Sequence, residues 1–360
     1  MSVGSTHHLE VVFVWKQNYI LVDEYFFFCC TWIVNSALKT LAAVVVSAVA
    51  FSGVAQAEVS LRFGYEAPRS DSQHIAAKKF NDLLNEKTKG EVKLKLFPDS
   101  TLGNAQTMIS GVRGGTIDLE MSGSPNFTGI EPKLNVIDIP FIFKDRAHVY
   151  KVLDGEIGQG LLKDLEAQGL KGLAFWDVGF RAFSNSKHPV TKPEDIKGLK
   201  VRTNQNPMYI EAFKLLGGNP VPMPLAELYT ALETRAVDAQ EHPIGIFWSS
   251  KLYEVQKHLS LTNHGYTPLI VVMNKAKFDS LAPELQTAIV EAAKEAGQFQ
   301  RDLNVKNEQE IIANLRKQGI EVIEQVDTKP FKAVIEEQVR KSFVEKHGDE
   351  LLKKVDALAQ

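Results

Sequence analysis

Polar and apolar residues alternate and then cluster in a regular succession along most of the chain. At residues 59–65, Val59, Leu61, Phe63 and Tyr65 alternate with Ser60, Arg62 and Gly64, a period of two that predicts a strand with one buried face. Ser70-Asp71-Ser72 can then cap a helix in which Ala76, Phe80, Leu83 and Leu84 share one side, the spacing of an amphipathic turn. Val92, Leu94 and Leu96 alternate with lysines as a second strand, followed by a helix at 105–112 and a short strand at 118–121. Strand and helix in alternation predict an α/β fold, with parallel-type sheets flanked by helices.

The rhythm repeats in the middle of the chain. Strands are expected at 173–176, 181–183, 199–202, 219–221 and 236–240, with helices at 207–216 and 225–233 between them. Pro189, Pro193, Pro220, Pro222, Pro224 and Pro243 mark sharp strand ends. A long helix should open at Pro283, which suits a first turn. Leu285, Ile289, Ala292, Ala296, Phe299 and Leu303 form its apolar stripe, and the pattern runs toward Lys317 before Gly319 stops it. Such a helix is longer than one lobe needs, and is expected to bridge two.

The N-terminal region departs from this pattern. Residues 35–57 read as a secretory signal: Lys39 is the positive start, 41–54 an apolar core, and Ala55-Gln56-Ala57 a small-x-small cleavage site. Residues 1–34 are aromatic and aperiodic, and read as a spurious extension ahead of a start at Val34. Cleavage after Ala57 leaves 303 residues (360 minus 57) and removes both cysteines, Cys29 and Cys30. A thiol-free remainder excludes thiolate metal sites, thiol catalysis and redox chemistry. A chain of this length can stand on its own core.

Charge and motifs narrow the function. The net charge of −3 offers no nucleic-acid footprint. Gly155, Gly158 and Gly160 do not match a dinucleotide fingerprint, and Ser122-Gly123-Ser124 lacks nucleophile-elbow spacing. His74, His148, His188, His242, His258 and His264 include no pair four apart, so neither a metal nor a cofactor is expected. Two arginines stand out instead. Arg202 closes an apolar strand, and the carboxyl ends of strands in open α/β sheets are where ligands sit. Arg181 opens a strand after Gly179-Phe180. A guanidinium fork grips a carboxylate through two bonds at once; the plainer alternative is a salt bridge at the surface or between lobes.

Around these arginines the sequence resembles the solute-binding subunits of TRAP transporters. The resemblance rests on Gly198-Leu199-Lys200-Val201-Arg202-Thr203, Gly217-Gly218-Asn219-Pro220-Val221-Pro222-Met223-Pro224, Glu227-Leu228-Tyr229 and Ala236-Val237-Asp238-Ala239-Gln240-Glu241-His242-Pro243. Upstream, Phe97-Pro98-Asp99-Ser100-Thr101-Leu102-Gly103 and Gly114-Gly115-Thr116-Ile117-Asp118 belong to the same pattern, and the match extends over residues 58–360.

The resemblance implies two α/β lobes of the periplasmic binding protein type, joined by hinge strands and a long helix. Lobe I would comprise 58–178 with 268–307, and lobe II 179–267 with 308–360. It implies a monomeric periplasmic receptor that captures a sugar acid, such as 2,3-diketo-L-gulonate or a hexuronate, for small and large integral-membrane subunits driven by sodium. Arg202 matches the family's carboxylate-binding arginine and Arg181 a second ligand arginine. His242, Glu66, Asn126, His74, Asn204 and Ser124 complete the expected ligand set. Sialate-binding members carry Asn where this chain has His242, Phe at Leu225 and an acidic residue at Gly123, which points to a smaller ligand. Trp176 can stack on a sugar or fill the core. On the residues alone, a periplasmic enzyme acting on uronates with His74 or His242 as base stays open. So does a binding protein serving an ABC transporter or a sensor.

Overall fold

In the computed structural model, which describes residues 58–359, the first alternating segment forms β1 (Val59–Tyr65). The expected signal segment and the extension before it lie outside the described residues. Asp71 caps α1 (Ser72–Lys87), accepting from the Gln73 N–H at 2.9 Å. β2 (Val92–Phe97), α2 (Ala105–Arg113) and β3 (Leu119–Gly123) follow. Beyond two 3₁₀ turns come α3 (Arg146–Asp154) and α4 (Glu156–Asp164). The middle of the chain comprises β4 (Leu170–Asn185), β5 (Lys200–Thr203), α5 (Pro207–Leu215), β6 (Asn219–Pro222), α6 (Leu225–Glu233), β7 (Ala239–Pro243) and α7 (Ile244–Ser249). The remainder is β8 (His258–Ser260), β9 (Tyr266–Asn274), α8 (Lys275–Asp279), α9 (Pro283–Lys317), β10 (Glu321–Ile323), α10 (Lys329–His347) and α11 (Glu350–Ala357).

The strands lie in the order β2-β1-β3-β9-β4-β7-β5-β6, with β8 beside β4 and β10 beside β8. Pairing is parallel in the wings, β1 with β2 and β3, β5 with β6 and β7. The two central strands pair antiparallel: β9 with β3 and β4, and β4 with β7 and β8. The α/β architecture is therefore the expected one, with an antiparallel seam in the middle. β9 gave no periodic signal because every one of its residues is buried, and a strand covered on both faces loses its alternation.

Two expected strands, 173–176 and 181–183, are one. β4 runs for 16 residues, pairing with β9 from Leu170 to Phe180 and with β7 from Arg181 to Asn185. The register shifts between Asp177 and Gly179, and Gly179 has φ +114°, a conformation that costs glycine little. This irregularity turns the strand from one half of the sheet into the other. β7 begins at Ala239 and not at 236, because Arg235 takes φ +60° and the Val237 N–H bonds back to the Ala231 carbonyl.

α9 has 35 residues, roughly 52 Å at helical rise. Its buried face comprises Leu285, Ile289, Ala292, Ala293, Ala296, Gly297, Gln300 and Arg301. Phe299, expected on the stripe, is 37% exposed, because the buried line drifts to 297 and 300. A β-carbon on Gly297 would lie 2.6 Å from Trp176, so glycine lets the helix approach the indole. Trp176 is fully buried and donates to the Ala293 carbonyl at 2.7 Å. It is a core residue and is closed to a sugar.

Candidate functional site

A crevice opens where the carboxyl ends of β1, β3 and β5 face one another across the β4 irregularity. It encloses about 710 Å³, its open mouth included. Glu66, Asn126, Arg181, Arg202, Asn204 and His242 all line it. Six of the eight residues singled out from the sequence thus meet in one place.

Arg202, next to last in β5, has its side chain turned inward, 2% exposed. Its Nε and Nη2 donate to the Met223 carbonyl at 3.1 and 2.6 Å, and Nη1 to His242 Nε2 at 3.3 Å. Among the described residues no carboxylate lies within ion-pair distance of it. Burial, with the Arg181 charge nearby, pushes its pKa down to about 10 despite attraction from Glu241 and Glu66. It therefore remains a cation at neutral pH, desolvated and without a carboxylate in ion-pair contact among the described residues. Such a group carries an electrostatic cost that an incoming anion relieves.

His242 is held in one tautomer by its neighbours. Nε2 accepts from Arg202, so Nδ1 carries the hydrogen and donates to Gln240 Oε1 at 2.6 Å. Gln240 in turn donates to Ser184 Oγ at 2.7 Å. Burial and the two arginines hold the imidazole pKa well below its usual value. His242 is neutral, and both its nitrogens are already engaged. Its visible task is to fix the Arg202 fork.

Arg181 lies equally deep, also 2% exposed, but in different company. Its Nε and Nη2 grip the Glu241 carboxylate, Nη2 also reaches the Glu241 carbonyl at 2.5 Å, and Nη1 donates to Thr267 Oγ1 at 2.5 Å. The guanidinium stands 5.1 Å from the Tyr209 ring centroid. Antiparallel register explains the pair: Arg181 lies opposite Pro243, which makes Glu241 its diagonal neighbour on the same face. Burial opposes both charges. Arg181 is nevertheless held above its ordinary pKa by Glu241, and Glu241 below its own by Arg181 and His264. Arg181 thus forms a salt bridge, but a buried one within a single expected lobe and not the surface or interlobe bridge of the plainer sequence reading.

Two carboxyls occupy the opposite wall. Glu66 leaves β1 facing the crevice; burial raises its pKa against the Ala105 N–H and the Arg202 field, and Oε1 has no partner. Behind it Glu120, fully buried on β3, takes a 3.3 Å bond from Ser122 and leaves Oε2 unpartnered. Burial, then the Glu66 charge, raises the Glu120 pKa well above the carboxylate range.

Two expected residues stand elsewhere. His74 turns its ring to the Tyr65 hydroxyl, 2.7 Å away, and lies outside the crevice lining. Ser124 is fully buried and donates to Asp138 Oδ1 at 2.7 Å. Asp138 also accepts from Asn206, the cap of α5, at 3.0 Å. His74 lies in the first turn of α1, half-buried, whereas Ser124 follows the end of β3 with its side chain in the interior.

The crevice also contains groups the sequence did not flag. Gln106 spans it, donating to Asn126 Oδ1 at 3.1 Å and to Gln205 Oε1 at 3.2 Å. Thr267, the acceptor for Arg181, comes from β9, which has no periodicity to betray it. A β-carbon on Gly123 would stand 3.1 Å from Thr267 Cγ2, so a larger residue there would crowd this wall.

Known proteins resemble this chain over most of its length. Residues 63–346 match the DctP family, bacterial extracellular solute-binding protein family 7. The chain is 59% identical over 319 residues, 88% of its length and 97% of the relative's, to the 2,3-diketo-L-gulonate-binding periplasmic protein of Escherichia coli. A TRAP periplasmic solute-binding protein of Polaromonas, bound to D-erythronate, superimposes with a TM-score of 0.81 at 38% identity, covering 83% of this chain and 99% of that one. The sugar acid-binding protein of Advenella mimigardefordensis, in complex with galactonate, gives a TM-score of 0.81 at 33% identity, covering 84% and 98%. The chain belongs to the DctP family of extracellular solute-binding proteins, the binding subunits of TRAP transporters.

Proposed function

We propose that the protein is a periplasmic receptor for a sugar acid, exported by the segment at 35–57 and handing its ligand to the membrane subunits of a sodium-driven TRAP transporter. One observation carries the reading: Arg202 is a fully buried cation with no carboxylate partner among the described residues, at the wall of an open crevice. A ligand carboxylate would supply the missing charge through two parallel bonds. Asn126, Asn204 and Glu66 offer amide and carboxylate partners for ligand hydroxyls. Relatives that bind 2,3-diketo-L-gulonate, D-erythronate and galactonate support this substrate class.

Binding proceeds without chemistry. His242, the candidate base, has both nitrogens engaged and a depressed pKa, which favours a receptor over a uronate-processing enzyme. The halves 58–178 with 268–307 and 179–267 with 308–360 would close about the Gly179 irregularity, because ligand contacts come from both and are completed only when they meet. A thermal-shift panel of sugar acids tests the reading. At least one, with 2,3-diketo-L-gulonate, galactonate, erythronate and glucuronate included, should raise the melting temperature, since a ligand bound only to the folded state stabilises it. A flat response across the panel would refute the assignment.

A further inference from the structure

We propose that the crevice selects acids bearing one carboxylate and hydroxyl groups, and rejects dicarboxylates, with Glu66 as the specificity-determining residue. The proposal rests on the reading that Arg202 holds a ligand carboxylate, and follows from the charges on the crevice walls. The Arg181 cation is already matched by Glu241. His242 contributes no charge, because its Nε2 is an acceptor. Arg202 is then the one unmatched cation among the described lining residues, and it accounts for one anionic group.

The facing wall carries the Glu66 carboxyl, with the buried Glu120 near it. Burial raises the pKa of both carboxyls, and the Glu66 charge raises that of Glu120 further. Glu66 has the Ala105 N–H and the attraction of Arg202. Glu120 has only the 3.3 Å bond from Ser122 and no exposure to water. The pair therefore settles with the proton on Glu120 and the charge on Glu66. An ionised carboxylate can only accept hydrogen bonds, so the unpartnered Glu66 Oε1 calls for a donor, as a hydroxyl provides. A second ligand carboxylate at that point would meet a like charge in a medium that screens poorly.

The test is titration calorimetry of the purified protein with matched acids. Galactonate and gluconate have one carboxylate; galactarate and glucarate keep the six-carbon hydroxylated chain but are ionised at both ends. In the wild type each aldarate should bind at least about tenfold more weakly than its aldonate. Glu66→Gln, which keeps the shape and removes the charge, should bring the ratio to within about threefold. Glu120→Gln should leave the ratio at its wild-type value, since that carboxyl is already neutral. Melting curves confirm that both variants fold, and Glu66→Ser repeats the measurement without a side-chain amide. Aldarates bound as tightly as aldonates by the wild type would overturn the charge rule alone. So would a ratio unmoved in both Glu66 variants, whereas a ratio collapsed in Glu120→Gln would overturn the placement of the charge. Absence of any sugar-acid binding would instead refute the receptor reading beneath it.

Discussion

Arg181 and Arg202 stand on the same crevice, buried to the same 2% exposure, and differ in what answers their charge. Arg181 is met by the Glu241 carboxylate, the Glu241 carbonyl and Thr267, and Glu241 is further bonded by His264 at 3.2 Å. Arg202 meets a carbonyl and a neutral imidazole. A buried cation with an internal counter-ion is part of the protein's own structure. One without is an unfinished ion pair, and it costs folding energy until a ligand completes it. On the proposed reading, the contrast separates a scaffold residue from a receptor residue, although both are buried arginines of strands that line the crevice.

The comparison can be broken by substitution. The largest effect is expected from Arg181→Met, which strands Glu241 as an uncompensated buried anion and should lower stability by about 3–5 kcal/mol. Chemical denaturation measures this directly; a variant as stable as wild type would put Arg181 in the same class as Arg202. Arg202→Met should do the reverse. Ligand affinity falls by about 2–5 kcal/mol, while the ligand-free protein keeps or raises its melting temperature, because an unmatched charge has gone. Calorimetry showing undiminished affinity would remove Arg202 from the site.

A smaller effect sharpens the same contrast at Asp138. Burial raises its pKa from 3.8 to about 8, against the Ser124 hydrogen bond and the Arg181 charge and with a smaller push from Glu241. The folded state then holds a proton that the unfolded chain releases near pH 4. This contribution is present in full below that pH and is lost as pH rises through about 8. Melting temperature should carry a component that declines over this window, and Asp138→Asn should flatten it. An unchanged slope in the variant would show Asp138 to be ionised in the folded protein.

Much of this was legible beforehand, and the exceptions share a cause. Helices with an exposed face and a capping residue declared themselves: Asp71 before α1, and Pro283 and Gly319 bracketing α9. β9, buried on both faces, did not. The break between 173–176 and 181–183 was visible in sequence, but its nature was not. Asp177 carries no local mark of its role, yet it accepts from Tyr266 at 2.5 Å and from Asn304 at 3.2 Å. These partners lie far along the chain and hold β4 continuous through the bend. His74 and Ser124 were reasonable by position, His74 in the first turn of a helix and Ser124 at a strand exit. Side-chain direction excluded them, and direction is set by the Tyr65 hydroxyl and the Asp138 carboxyl.

The sequence by itself determined the alternation of strands and helices, the long helix, and the placing of Arg202 where a strand delivers a side chain to the sheet's carboxyl edge. These follow from local periodicity and capping, which act over a few residues. The tertiary structure alone decided that Arg181 is neutralised and Arg202 is not. Counter-charge depends on which residues the register of β4 against β7 sets diagonally across, and on what the interior excludes from water. No window along the chain contains that information.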